Sequence, residues 1–273
     1  MSIFKVNDTE LYYETYGEDI PVLLIHGWGI DHRYLTGCME PVFNNTGGRF
    51  KRFYVDVPGM GKSKEGSVRN TEDIVEVLLS FIKENIKGDF MLAGNSYGGL
   101  ISRIIADKIP ERVKGMILIC SSQGSIKRTL PERYTLIKDD EFLKTLDKKQ
   151  FEHFSSMNVK LTREAWNIYK RDIYPAVLQN EDNDFLNHVL DGEISLQMQN
   201  EIDNKVFDKP VLILTGKQDA SVGYEDQFKW IKPYPRASYF AIEGASHNLS
   251  MDQPQLFECI VKNWLINFMI KEN

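Results

Sequence analysis

The chain has little cysteine, no long apolar run and no excess of positive charge, and each shortage excludes a class of protein. Its three cysteines, Cys38, Cys120 and Cys259, are odd in number and far apart, with no C-x-x-C and no zinc-ligand spacing. Neither a disulfide framework nor a structural zinc site is expected from them. Cys120 and Cys259 sit in apolar runs and read as buried thiols of a protein kept in a reducing cytoplasm. No stretch reaches the roughly 20 apolar residues of a membrane span, and Met1 to Asp8 lack the apolar core of a secretion signal. A net charge of −6, from 33 basic and 39 acidic side chains, argues against nucleic acid as a general partner, because neutralising phosphates needs a basic surface. A glycine-rich dinucleotide fingerprint is also missing. Gly61-Lys62-Ser63 matches the end of a phosphate-loop pattern, but the glycine such a loop needs at position 56 is an aspartate. No cofactor and no metal are expected, and neither a membrane nor a nucleic acid as partner.

What is present is an ordinary globular composition, 42% apolar and 26% charged, on 273 residues, ample for a sizeable core. Phe4 to Val6 and Leu11 to Tyr16 flank the turn cluster Asn7 to Glu10 and predict an antiparallel hairpin. Continuous apolar runs at Val22–Ile25, Phe90–Ala93, Met116–Cys120 and Val211–Thr215 predict strands buried on both faces. Phe53–Val57 and Ser238–Ile242 predict two more. Between them lie helical patterns. In the clearest, over 71–87, Ile74, Val77, Leu78, Phe81, Ile82 and Ile86 share one face, with Asn70 as N-cap. A last helix, from about Pro254 to Ile270, carries Leu256, Ile260, Val261, Trp264, Leu265 and Phe268 on one stripe. Strands alternating with helices imply an α/β fold, a mostly parallel sheet covered on both faces. Residues 124–207 break the rhythm: the segment is charged, poor in glycine and helical in pattern, and reads as an insertion between two strands.

Gly94-Asn95-Ser96-Tyr97-Gly98 matches G-x-S-x-G and sits between an apolar strand and a helical pattern, the context in which a serine projects from a sharp turn. Serine is a weak nucleophile and needs a base within reach, itself oriented by a third group. Asp219 and His247 each follow a predicted strand, in loops containing Gly216 and Gly244. A turn aspartate and an exposed loop histidine are the plainer readings of these two, and Glu225 and Asp226 are rival acids. His153 and His188 lie among charged residues and read as surface positions. His26-Gly27-Trp28-Gly29 follows the Val22–Ile25 strand, and its glycines leave room for backbone N–H groups to face a developing oxyanion. His26 reads as an organiser of that loop.

Five motifs in order, His26-Gly27-Trp28-Gly29, Asp56-x-Pro58-Gly59-x-Gly61-x-Ser63, Gly94-x-Ser96-x-Gly98-Gly99, Gly216-x-x-Asp219 and Gly244-x-x-His247, resemble those of the α/β-hydrolase superfamily. The resemblance spans the whole chain, with residues 1–123 and 208–273 as core and 124–207 matching the helical cap. It implies a serine hydrolase in which Ser96 is nucleophile, His247 base and Asp219 orienting acid. Amides of Trp28 and Tyr97 form the oxyanion hole, supported by His26, Gly27, Gly94 and Gly98. The implied partner is a small-molecule ester or related acyl substrate; the oligomeric state stays open. Serine at position 96 argues against haloalkane dehalogenases and epoxide hydrolases, which place aspartate there. Trp28 departs from lipases of the H-G-G-G type. Carbon–carbon bond hydrolases share the Gly94-Asn95-Ser96 elbow but carry a proline in the oxyanion loop, and none occurs from His26 to Arg33. They remain an alternative, as does a slow-turnover small-molecule sensor. In the insertion, Phe142, Phe151, Phe154, Trp166 and Tyr169 are either its own core or pocket lining, and Arg128 and Arg133 are either solvated or able to meet an acidic group.

Overall fold

The computed structural model describes residues 2–124, 127–181, 183–188 and 194–272. Strands β1 (Ser2–Val6) and β2 (Thr9–Tyr16) form the antiparallel hairpin. Asn7 in its turn adopts φ 53°, a left-handed conformation that asparagine tolerates better than most residues. Then come β3 (Ile20–Ile25), α1 (Arg33–Asn44), β4 (Phe50–Val55), α2 (Thr71–Asn85), β5 (Phe90–Asn95), α3 (Tyr97–Lys108) and β6 (Val113–Ile119). The α2 boundary has the expected cause: the Asn70 side chain accepts a hydrogen bond from the Asp73 amide, satisfying one of the helix's free N–H groups.

After β6 the chain leaves the sheet. It forms β7 (Ile137–Lys138), α4 (Asp140–Leu143), α5 (Lys148–Met157), β8 (Lys160–Leu161), α6 (Arg163–Asp172), α7 (Tyr174–Gln179), α8 (Asp184–His188) and α9 (Leu196–Asn204). The segment is helical, as its sequence predicts, apart from the parallel pairing of β7 with β8; two-residue strands are too short to leave a periodic signal. Its aromatic residues mostly serve its own packing. Phe154 meets Trp166 and Tyr169 at centroid distances of 5.3 and 5.4 Å, and Trp166 meets Tyr174 at 5.5 Å. Phe142 is also buried, whereas Phe151 is exposed.

The chain rejoins the sheet with β9 (Val211–Gly216), followed by α10 (Glu225–Phe228), β10 (Ala237–Ile242), α11 (Leu249–Asp252) and α12 (Pro254–Glu272). The eight strands lie in the order β1-β2-β4-β3-β5-β6-β9-β10, parallel from β4 to β10 and antiparallel at the hairpin edge. Alternation along β3 sends Val22 and Leu24 into the core on one face and Leu23 and Ile25 into the core on the other. Each such fully buried side chain contributes about 1.5–3 kcal/mol. Arg103, buried on α3, ties the elbow helix to the end of the insertion: it donates to Tyr234 and Asp203 and stacks 3.9 Å from the Trp230 ring.

Two sequence expectations fail, both on α12. Leu256 is exposed while its neighbour Phe257 is buried, and Cys259 is exposed rather than buried. An apolar run on a helix wraps around the axis, so neighbours in sequence face different directions. No helix among the described residues is long and apolar enough to cross a membrane.

Candidate active site

The loops at the carboxyl ends of β3, β5 and β10 line one cavity of about 160 Å³, closed by residues of α5, α6 and α7. Open α/β sheets place their ligand crevices at this end. Ser96 joins β5 to α3 at φ 51° and ψ −117°. No ordinary side chain favours that backbone conformation, which costs of order 1–3 kcal/mol unless the surroundings enforce it. Here they do: the Ser96 amide donates to Ile119 at 2.9 Å, and its carbonyl accepts from Ser122 and Gly99 at 2.9 and 3.0 Å. The flanking glycines are sterically obligatory. A Cβ on Gly94 would lie 2.3 Å from the Gly98 carbonyl oxygen, and one on Gly98 would lie 2.0 Å from that of Ile25.

His247 lines the same cavity as Ser96, and its Nδ1 lies 2.8 Å from Oδ2 of the fully buried Asp219. The other Asp219 oxygen accepts from the amides of Ser221 and Val222 at 2.9 and 3.0 Å. The two loops are pinned together by Gln218, whose Oε1 accepts from the Gly244 and Ala245 amides at 2.7 and 3.1 Å. Asp252 braces the histidine loop from behind by accepting from the Ser246 amide at 2.8 Å; burial raises its pKa against those stabilising hydrogen bonds. The rival acid Asp226 is occupied elsewhere, with the Thr129 amide and Lys229.

His26 is fully buried. Its Nε2 accepts from the Val57 amide at 2.9 Å, and its Nδ1–H donates to the Gly27 carbonyl at 2.7 Å. Both ring nitrogens are used, and burial pushes the pKa down, so the ring is neutral and braces the loop carrying Gly27 and Trp28. Gly27 keeps this approach close: a Cβ there would lie 2.8 Å from Oδ1 of Asn95, which would have to move. The Trp28 and Tyr97 rings pack edge to face at 5.0 Å, and the Tyr97 hydroxyl donates to Thr71 at 3.0 Å. This pair joins the loop after β3 to the start of α3. The Asp56–Ser63 segment folds as a tight turn, with Asp56 accepting from the His32 and Lys62 amides, both at 2.8 Å.

Some features of the site and its surroundings escaped the sequence. His153, read as a surface residue, lines the Ser96 cavity from α5. It is half-buried, with its Nε2 3.9 Å from Glu181. The side chain of His188 lies outside the described residues. Cys120 has its Sγ within 4.8 Å of the ligand atoms of Asp219 and His247; burial pushes its thiol pKa far up, leaving a neutral neighbour to the acid. A second such cluster, Asp31, His32 and Asp56, is already occupied: Nδ1 of His32 lies 2.7 Å from Asp56, and Asp31 pairs with Arg33. Tyr169, finally, both packs in the insertion and joins Trp28, Ile30, Met157, Ile173 and Val177 in the cavity wall, so the choice between core and lining is not exclusive.

The sequence profile of the alpha/beta hydrolase fold family matches residues 20–254, and the chain belongs to that family. It is similar to an alpha/beta superfamily hydrolase from Oenococcus oeni PSU-1, with a TM-score of 0.87 at 27% identity over 98% of this chain and 99% of that one. It is also similar to a pimeloyl-(acyl-carrier protein) methyl ester esterase from Yersinia pseudotuberculosis serotype O:1b (strain IP 31758), 23% identical over 93% of this chain and 97% of the relative. A thermophilic esterase from Thermogutta terrifontis shares the fold, with a TM-score of 0.68 at 19% identity over 98% and 99% of the two chains.

Proposed function

We propose that the protein is a serine hydrolase that cleaves a small or medium carboxylic ester through an acyl-enzyme. The observation that carries this reading is the buried Asp219–His247 pair, 2.8 Å apart, on the wall of the cavity that Ser96 enters from a positive-φ turn. Ser96 Oγ attacks the carbonyl carbon while His247 takes its proton, and Asp219 holds the imidazole tautomer and stabilises the imidazolium. The tetrahedral oxyanion is received by the amides of Trp28 and Tyr97. Tyr97 opens α3 directly after Ser96, and Trp28 lines the cavity beside Ser96. Donors of this kind contribute about 10²–10³-fold each. His247 returns the proton to the leaving alcohol oxygen as the acyl carbon–oxygen bond breaks. It then activates a water that frees the acid from Ser96. Residues 124–207 act as a cap over the core of 1–123 and 208–273, and their apolar side chains shape the acyl site. The esterase names of the relatives support the reaction class.

Hydrolysis of p-nitrophenyl esters of increasing acyl length, wild type against Ser96→Ala, tests the reading. Turnover is expected to fall by roughly 10⁴–10⁶-fold in the variant, and the best chain length sizes the cavity. Equal activity in the two proteins would sink the assignment. A wild type inert on every ester would shift the reaction to carbon–carbon substrates. Turnover far below ~1 s⁻¹ would fit a sensor instead.

A further inference from the structure

Beside the Ser96 cavity lies a second hollow of about 270 Å³. It shares His247, Ser156 and Met157 with the first and adds Arg133, Asn158 and Gln218, but neither Ser96 nor Trp28 lines it. The two spaces therefore meet at His247. Ester chemistry assigns their contents. The carbonyl carbon must sit on Ser96 with its oxygen toward the Trp28 and Tyr97 amides, while the histidine must reach the leaving oxygen to return its proton. Whatever is attached to that oxygen is directed to the histidine's side. The first cavity then takes the acyl group, and the second takes the alcohol.

Both spaces mix apolar and polar lining: Ile30, Ile173 and Val177 stand beside His153 and Asn248 in the first, and Met157, Val159 and Ala220 beside Asn158 and Gln218 in the second. What sets the second apart is a guanidinium, with no carboxylate in its lining. Most buried or half-buried arginines here are neutralised: Arg33 by Asp31, Arg52 by Glu40 and Arg103 by Asp203. Arg133 is exposed and donates through Nη2 to the Ser155 carbonyl. It pairs with no carboxylate among the described residues. That one bond leaves most of its five donors facing the hollow or solvent. Arg128 stands behind the same wall, donating to the carbonyl of Ser221 at 3.1 Å. On a chain of net charge −6, a cation left unpaired beside the reacting histidine is a recognition element for an anion.

We propose that the substrate's leaving alcohol bears a carboxylate and that Arg133 binds it in this hollow. The proposal rests on the serine-hydrolase reading. The overall reaction is ester plus water giving the acid and a hydroxy-acid: the acyl carbon–oxygen bond breaks, the alkoxide takes the proton held by His247, and the carboxylate on the alcohol is unchanged. Arg133 acts as a specificity residue and takes no part in the bond changes.

Phenyl butyrate and 3-carboxyphenyl butyrate form the test pair. Their acyl groups are identical, and a meta carboxylate changes the acidity of the leaving phenol little. The readout is the ratio of kcat/KM for the anionic over the neutral ester, measured on one preparation so that losses common to both cancel. Wild type is expected to favour the anionic ester about tenfold, as suits a charge-assisted hydrogen bond at a partly solvated site. Arg133→Gln should bring the ratio to about one, Arg133→Lys should keep part of it, and raised salt should shrink it in wild type. A wild-type ratio at or below one, or a ratio that Arg133→Gln leaves unchanged, overturns the proposal while leaving the hydrolase intact. If neither ester is turned over while p-nitrophenyl esters are, the proposal falls and the hydrolase reading stands; if no ester of either set is turned over, the ester reading fails and the proposal falls with it.

Discussion

At the elbow, a Cβ on Gly94 or Gly98 would lie 2.3 or 2.0 Å from a main-chain oxygen. Across the cavity, the inserted segment meets the same core through side-chain amides: Gln179 donates to the Gly61 carbonyl at 2.5 Å, Asn180 to Gly29 at 2.9 Å and Asn183 to Gly59 at 2.8 Å. The first kind of contact is backbone against backbone, where nothing can yield. The second is a set of half-buried hydrogen bonds, each contributing about 1 kcal/mol net. The contrast separates two duties. The sheet sets the positions of the groups we propose as reacting, while these amides help to hold an insertion that also packs Phe154, Trp166 and Tyr169 into one core with the sheet.

Substitutions on the two sides should part company accordingly. The largest effect is expected from Gly98→Ala, where the new methyl must displace the end of β3 or the start of α3. We expect a loss of about 3 kcal/mol in chemical denaturation, and a loss below 1 kcal/mol would break the comparison. Asn180→Ala and Asn183→Ala should each cost about 1 kcal/mol. In kinetics they should raise KM severalfold with kcat nearly unchanged, the mark of lost uniform binding. A fall in kcat alone would show that the insertion positions reacting groups after all.

The smallest effect is a pH dependence on the core side. Burial alone would lower the pKa of His32, but its hydrogen bond to Asp56 and the charges of Asp56, Asp31 and Glu14 raise it above its ordinary value. Tyr12 packs against the same ring at 5.3 Å. A raised histidine is protonated more readily folded than unfolded. Its contribution is therefore complete below about pH 6.5 and fades as pH climbs through the higher folded value. Thermal midpoints of wild type and His32→Gln should differ most near about pH 6 and converge toward about pH 9. A gap that does not change with pH would remove His32 from the linkage.

The sheet was legible because β3, β5, β6 and β9 are buried on both faces and so read as unbroken apolar runs. The elbow was legible for a related reason: only glycine fits at positions 94 and 98, and the turn geometry leaves that mark in the residues themselves. Asp219 could be preferred to Asp226 because it stands at a strand end. What could not be read depends on how distant segments fold back. His153 lines the cavity only because α5 lies across the carboxyl ends of the strands, and nothing near it in sequence encodes that. Cys120 meets Asp219 through the pairing of β6 with β9. Leu256 and Cys259 were misplaced because an apolar run on α12 does not say which way the helix is turned.

The amides of Gln179, Asn180 and Asn183 all grip main-chain oxygens. Every residue type carries a carbonyl, so the loops of the core can drift in sequence without loosening their hold on the insertion, provided the backbone path is kept. Gly59 is the exception, since a Cβ there would lie 2.3 Å from the Phe185 ring. Elsewhere the seam uses side chains of the core as well: Arg103 pairs with Asp203, and Asn248 donates to Asn158 at 3.0 Å. Replacement in the core loops is therefore silent at these three grips and felt where a core side chain itself reaches the insertion.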